Sequence, residues 1–212
     1  MKDFFSSRVT LITKTNQGQF RPIQCLNLPL RLFEKSLLSV VRSCAYSHTD
    51  SIYGFVPHRS THMAYNDLRD HLENNLKSPT LFIDFPKAFN CASRKKLSKI
   101  IKNKRNGLAQ KLLIQILEKH NVDILGEKYQ SDSSVPQGSS LSPILFNHLI
   151  DSLISDLIAK QPNLKVIAYA DDMAIIGRVD LKHLTQIALD HGLQLNKRKC
   201  ITFNNSLIGI PK

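Results

Sequence analysis

Apolar residues along this chain recur with two different periods, and the switches between them mark the elements. Leu30, Phe33, Leu37, Val40 and Val41 fall at helical spacing and predict a helix over 30–45; residues 61–76 read as a second. Short β-prone runs at 8–13 and 19–23 flank the polar Asn16-Gln17-Gly18, which predicts a hairpin. Thr80-Leu81-Phe82-Ile83 forms another strand, ending in Asp84. Helices with polar faces follow over 94–104 and 108–119. A longer, more apolar helix is expected over 140–158, opening after Gly138 with Ser139 or Ser140 as its cap. Residues 166–176 read as strand, tight turn, strand; residues 181–191 form a helix stopped by Gly192. Last strands are expected at 201–203 and 207–210. The order is mixed α and β, with no repeats and no linker-like tract.

Composition changes this picture in two ways. With 212 residues, 42% of them hydrophobic, the chain can bury a real core as one domain or two intimate subdomains. A formal charge of +12 points to a polyanionic partner bound in a salt-sensitive way, although charge alone does not choose nucleic acid. Cys25, Cys44, Cys91 and Cys200 show no metal-binding spacing, which suits a reducing compartment. No apolar run approaches the roughly 20 residues of a spanning helix, and no signal peptide is evident at the N-terminus. An intracellular protein with no membrane partner is expected.

Candidate chemistry sits at strand ends. Asp171 and Asp172 lie side by side between two apolar runs, where adjacent like charges repel. A hairpin tip screened by water would tolerate them, since Asp accepts the backbone angles of tight turns. The sharper reading is a divalent-metal site. Asp84 closes another apolar strand, and two Mg²⁺ ions that clamp a phosphoryl displacement need hard oxygen ligands from more than one segment.

These motifs resemble those of a reverse transcriptase, an RNA-directed DNA polymerase. Tyr169-Ala170-Asp171-Asp172 matches the family's active-site tetrapeptide, and the run from Asp84 to Phe89 matches its preceding acidic motif. The run from Val135 through Gln137-Gly138-Ser139 to Asn147 matches the motif between them. Arg21-Pro22-Ile23, then Tyr53-Gly54-Phe55 with Arg59-Ser60-Thr61 as one motif, and the segment from Gly192 to Lys199 complete six blocks in family order. Their style is that of non-LTR retrotransposon and group II intron enzymes.

The resemblance implies an α+β fold: fingers over 1–79 and a palm over 80–212, with an antiparallel palm sheet backed by helices. It also implies roles. Asp84 and Asp171 would bridge two Mg²⁺ ions (Mn²⁺ as a substitute), with the Phe85 carbonyl as an extra ligand and Asp172 assisting one metal or facing solvent. Phe89 matches the steric gate that excludes a 2′-hydroxyl, or is an ordinary core aromatic. Gln137 and Gly138 would meet the incoming nucleotide, and Lys14 and Arg21 resemble the pair that grips its triphosphate. Lys199, in the basic cluster Lys197-Arg198-Lys199, resembles the lysine that protonates pyrophosphate. The partners implied are an RNA template, a DNA primer and dNTPs. No thumb follows the start of a primer grip near residue 207, so a truncated or split form is expected, with a second chain able to supply the thumb. A non-catalytic nucleic-acid-binding remnant of the same fold is the alternative.

Overall fold

A computed structural model describes residues 4–13, 20–43, 49–74, 78–103, 107–124, 126–130, 133–196 and 198–203. In chain order its elements are β1 (Ser6–Thr13), β2 (Phe20–Leu26), α1 (Leu28–Ser43), α2 (Thr61–Asn74), β3 (Thr80–Asp84), α3 (Ala88–Cys91), α4 (Arg94–Lys102) and α5 (Leu108–Lys119). Then come β4 (Asn121–Ile124), β5 (Glu127–Gln130), α6 (Ser142–Lys160), β6 (Lys165–Tyr169), β7 (Asp172–Ile176), α7 (Leu181–Asp190) and β8 (Ile201–Phe203). They gather into two compact units, each assembled from two stretches: Met1–Ser47 with Phe89–Leu145, and His48–Ala88 with Phe146–Lys212.

The first unit holds a mixed sheet in the order β2-β1-β4-β5. The expected hairpin forms, with Thr10 opposite Ile23; its Asn16-Gln17-Gly18 turn lies outside the described residues. Strand β4 joins β1 in parallel and turns back antiparallel into β5. The sequence pattern did not predict this second hairpin. Only Val122 of β4 is buried and Glu127–Gln130 is exposed throughout, so no alternation of apolar residues betrays it. Pairing with β1 recruits it instead, a tertiary effect that overrides weak local preference.

The second unit is built on an antiparallel sheet in the order β6-β7-β3-β8. Helix α2 lays Ala64 and Leu68 against Ile167, Ala174, Ile176 and Phe82 on one face. The alternate residues Leu81, Ile83, Val166, Ala168 and Ile175 are also buried. Dryness on both faces explains why β3, β6 and β7 read as nearly continuous apolar runs. Helix α6 contributes Leu149, Ile150, Leu153, Ile154 and Leu157, all at or near zero exposure. Helix α7 is capped by Asp180, whose carboxylate accepts the Lys182 and His183 amides, and it ends beside Gly192 at φ +78°. The architecture is α+β, as expected.

One boundary differs. Helix α6 starts at Ser142 rather than Ser140, which places Pro143 in its first turn, where proline is tolerated. The Ser139 hydroxyl accepts the Leu141 amide at 3.1 Å, one turn before the helix proper. The strand expected at 207–210 lies outside the described residues.

Candidate active site

Strand register brings the acids of the second unit together. Asp84 stands directly opposite Asp172 across β3 and β7, and Asp172 opposite Tyr169 across β7 and β6. Directly opposed residues of antiparallel strands share a face, so Tyr169, Asp172 and Asp84 form one row at the end of the sheet. Asp171 is in the two-residue turn that joins β6 to β7. The residue that takes the left-handed backbone is Ala170, at φ +55°, and not either aspartate; Asp172 is already the first residue of a strand. The acidic pair therefore straddles the junction of turn and strand, with Asp171 alone in the turn.

The turn is held from below by main chain. Tyr53 donates its amide to the Ala168 carbonyl at 2.8 Å, and Ala168 donates its own to Ser51 at 2.7 Å, so residues 51–53 run beside β6. Gly54 then lies so close that an added Cβ would sit 2.4 Å from the Ala170 nitrogen. Buried Asn147 on α6 donates its amide to the Gly54 carbonyl at 2.8 Å. Arg59 steadies the same loop: it donates to the Thr49 and Ile52 carbonyls, pairs with Asp50 at 2.9 Å, and lies over the Tyr53 ring. The Tyr53 hydroxyl and the Lys165 ammonium both donate to Asp67. Burial alone would raise the Asp67 pKa, but those two hydrogen bonds outweigh it and hold the carboxyl below its usual range. Burial and the same hydrogen bond push the Tyr53 phenol up to about 12. The sequence placed Tyr53, Gly54, Arg59 and Asn147 in family motifs without giving them a role, and did not single out Asp67 or Lys165. The available signal was Asn147, a polar residue inside the otherwise apolar Leu145-Phe146-Asn147-His148-Leu149-Ile150 run.

Charge at the acidic row is only partly balanced. Burial, then the neighbouring Asp171 and Asp84, raise the Asp172 pKa above the usual carboxylate range, while Lys199 pulls the other way. Asp84 is better supplied: Asn196 donates its side-chain amide to Oδ2 at 3.1 Å, and Lys199 Nζ is 3.6 Å from the same oxygen. Asn196 also donates its backbone amide to the Asp84 carbonyl at 3.0 Å. The Asp171 and Asp172 side chains accept no hydrogen bond among the described residues. An open cavity of about 490 Å³, lined by Tyr65 and Leu68 of α2 with Phe82 and Tyr169, reaches Asp172. Among the described residues no three His, Cys, Asp or Glu side chains are drawn into a ready-made metal cage. The Asp84 carboxylate, as placed, is turned to Asn196 and Lys199.

The first unit carries the other predicted site residues. Gln137 and Gly138 form a turn seated on β2: the Gln24 amide donates to the Gln137 carbonyl at 2.7 Å. Gly138 is at φ +120°, and a Cβ there would lie 2.4 Å from the Gln24 oxygen, so no other residue fits. The Gln137 side-chain oxygen is enclosed and accepts no hydrogen bond among the described residues. Phe89 is half-buried on α3, and its carbonyl accepts the Val135 amide at 2.7 Å. Arg21 is exposed on β2, opposite Ile12; Lys14 lies outside the described residues. Sequence reasoning missed Glu34, which is fully buried and accepts the Ser139 hydroxyl at 2.7 Å and the Ser140 amide at 3.0 Å. It thereby fixes the segment after Gly138.

Comparison with known proteins agrees with this geometry. A family model described as reverse transcriptase (RNA-dependent DNA polymerase) matches residues 12–208. Among solved structures, apo telomerase from Candida tropicalis truncated from its C-terminal domain aligns with TM-score 0.67 at 16% identity, over 98% of this chain and 51% of that one. Telomerase from Candida albicans, in complex with a TWJ fragment of telomeric RNA, gives 0.61 at 16% identity over 96% and 43%. An insertion-loop deletion mutant of the RNA-dependent RNA polymerase of a human picobirnavirus gives 0.67 at 12% over 94% and 42%. The chain thus spans about half, or less, of the solved chains it matches. No curated protein sequence matches it. Among the described residues no helix is long and apolar enough to cross a membrane.

Proposed function

The chain belongs to the reverse transcriptase (RNA-dependent DNA polymerase) family, and on that premise we propose that it adds deoxynucleotides to a primer 3′ end on an RNA template. The observation that carries the proposal is the row of acids at the end of a rigid antiparallel sheet, with Asp84 opposite Asp172 and Asp171 beside them. The motif style supports reading it as an enzyme of the non-LTR retrotransposon and group II intron type. By the same resemblance, 1–79 would form the fingers and 80–212 the palm.

The donor set suits a hard divalent cation: three carboxylates in an under-neutralised field, with the Asp172 carboxyl held above its usual pKa. Asp84, Asp171, Asp172 and the Phe85 carbonyl would hold Mg²⁺ or Mn²⁺. Bound there, two such ions supply the Lewis acidity and charge neutralisation that in-line phosphoryl transfer needs. The chain's own residues do the rest. Asn196 orients the Asp84 carboxylate through Oδ2 and fixes its backbone through the carbonyl. Lys199, largely exposed and already beside Asp84, is free to carry a proton to departing pyrophosphate. By the family resemblance, Gln137 and Gly138 would meet the incoming nucleotide. Arg21 and Lys14 would hold its phosphates, and Phe89 would reject a 2′-hydroxyl by steric clash.

Primer extension with poly(rA)·oligo(dT), dTTP and Mn²⁺ or Mg²⁺ tests the reading. Wild-type protein should incorporate dTMP, and Asp171→Ala should lose at least about a hundredfold of that rate. Equal incorporation by the two proteins would overturn the assignment.

A further inference from the structure

A second charged feature lies wholly within the first unit and includes none of the residues assigned above. Helix α4 reads Arg94-Lys95-Lys96-Leu97-Ser98-Lys99-Ile100-Ile101-Lys102, with five cations and no acid. Leu97 and Ile101 are buried at zero exposure, which fixes how the helix is turned. Lys95, Lys99 and Lys102, at i, i+4 and i+7, then fall on one exposed stripe. That stripe forms one wall of an open groove of about 470 Å³.

The opposite wall and floor are distinct in chemistry. Arg94 is buried, with its guanidinium donating to the Ser134, Leu117 and His120 carbonyls. Its charge still acts on its surroundings: after burial, it is the second cause that lowers the His120 pKa to about 4. The far side carries Glu118 and Gln130, with the Gln130 amide donating to the Glu118 carbonyl at 2.8 Å. The Glu118 carboxylate is half exposed and meets the tip of the stripe at Lys102 Nζ, 3.4 Å away. The groove therefore offers a row of cations along one edge and a neutral-to-acidic acceptor edge facing it.

We propose that this groove binds a single strand of RNA through its sugar–phosphate backbone, independently of the acidic site. The stripe runs about 10 Å along the helix, from a rise of about 1.5 Å per residue, which suits two or three consecutive phosphates. Lysines at a groove edge are suited to phosphates as point charges. The acceptor edge selects RNA: Glu118 repels a phosphate but accepts a hydrogen bond from a 2′-hydroxyl, which DNA lacks. The apolar Leu117 between the two edges excludes water from under the ribose.

The test is binding of a fluorescent 12-nucleotide RNA by anisotropy, with no divalent cation and no nucleotide, to the full chain in the Asp171→Ala background. Three proteins are compared: that parent, a groove variant carrying Lys95→Glu, Lys99→Glu and Lys102→Glu, and a charge-matched control carrying Lys35→Glu, Lys160→Glu and Lys182→Glu. The groove variant should bind at least about tenfold more weakly and lose about two from the slope of log K against log salt, as three single-strand phosphate contacts predict. The control should change less than about threefold. Glu118→Gln should narrow the preference for RNA over DNA of the same sequence while leaving the salt slope unchanged. Equal losses in groove variant and control, or no loss in either, would overturn the proposal. Because no chemistry is measured, its failure leaves the polymerase reading standing, and the failure of that reading leaves this one standing.

Discussion

Glu34 and Asp172 are both acids held above their ordinary pKa, yet they reach that state in opposite ways. Glu34, in the first unit, is fully buried, and desolvation raises it even though the Ser139 hydroxyl and the Ser140 and Leu141 amides lower it. Asp172, in the second, is partly exposed, with burial and then the charges of Asp171 and Asp84 acting on it and no hydrogen bond to its carboxylate among the described residues. The first acid is enclosed by the fold and organises a loop through its Oε2, while Oε1 is buried with no hydrogen-bond partner among the described residues. The second is left short of positive charge, and what holds it in place is backbone. An acid enclosed by the fold and tied to a loop is structural; one held by main chain at an open cavity, with no hydrogen bond to its carboxylate, is poised for a ligand.

The largest expected effect tests whether the acidic turn is positioned from the backbone. Gly54→Ala places a Cβ 2.4 Å from the Ala170 nitrogen, and a main-chain atom cannot swing aside as a side chain can. The turn must move, and a displacement of order 1 Å costs about a hundredfold in rate. Incorporation should fall about that much, with an overpacking cost of about 1–3 kcal/mol seen in urea denaturation. If Gly54→Ala extends primers at the wild-type rate, the turn is not held in this way.

Next in size is the structural acid. Glu34→Ala removes the acceptor from two buried donors, Ser139 Oγ and the Ser140 amide, and should destabilise the protein by about 2 kcal/mol. Glu34→Gln keeps an acceptor oxygen and should cost less than half as much. Chemical denaturation of both variants decides: equal costs would mean that the cavity, not the hydrogen bonds, sets the penalty.

What could be read in advance divides along the same line. The acids, the glycines and the apolar runs were legible because each needs a residue type that chemistry rarely permits otherwise. Asp84 ending a buried strand and Asp171-Asp172 between apolar runs are of this kind, and the strand register did bring Asp84 opposite Asp172. The roles of the supports were not legible. Asn147 reaching the Gly54 carbonyl spans 93 residues, and Glu34 reaching Ser139 spans 105. Neither has a local pattern, because a single polar side chain in an apolar helix can be a solvated face, a fault or a clamp until its partner is known. The β4–β5 hairpin was hidden for a related reason, since its order comes from pairing with β1 and not from its own residues. Ala170 shows a third limit: the left-handed turn position was expected of an aspartate and fell on alanine, since the register of the flanking strands placed it there.

An effect confined to acid pH concerns His120, buried between Ser7 and Gln24, 3.0 Å from each. Burial first, then Arg94, lowers its pKa to about 4, so the folded protein keeps the ring neutral. Unfolding exposes a group that binds a proton near pH 6.5, so the unfolded state gains protons first as pH falls. Stability should be fully present above about pH 6.5 and decline toward pH 4, by on the order of 3 kcal/mol at most. Thermal melts of wild type and His120→Gln across that window should converge at low pH. A variant that keeps the full wild-type slope between pH 6.5 and 4 would remove His120 from the account.

The smallest expected effect is also the one that discriminates most sharply between the two kinds of acid. Because the Asp172 pKa is raised, the folded state holds its proton more tightly than the unfolded chain, and stability falls as pH rises past the ordinary carboxylate value. At neutral pH and without divalent cations, the ionised group is therefore a cost, and Asp172→Asn should raise the melting temperature, by roughly 1–2 °C because the group is partly screened by water. Added Mn²⁺ should stabilise the wild type by binding the folded state alone, and should stabilise Asp172→Asn less, reversing their order. Glu34→Gln offers the contrast: it should leave the Mn²⁺ increment intact. If Asp172→Asn melts below wild type in EDTA, its carboxylate contributes to the fold as Glu34 does, and the distinction between an enclosed acid and a ligand-seeking one fails for this protein.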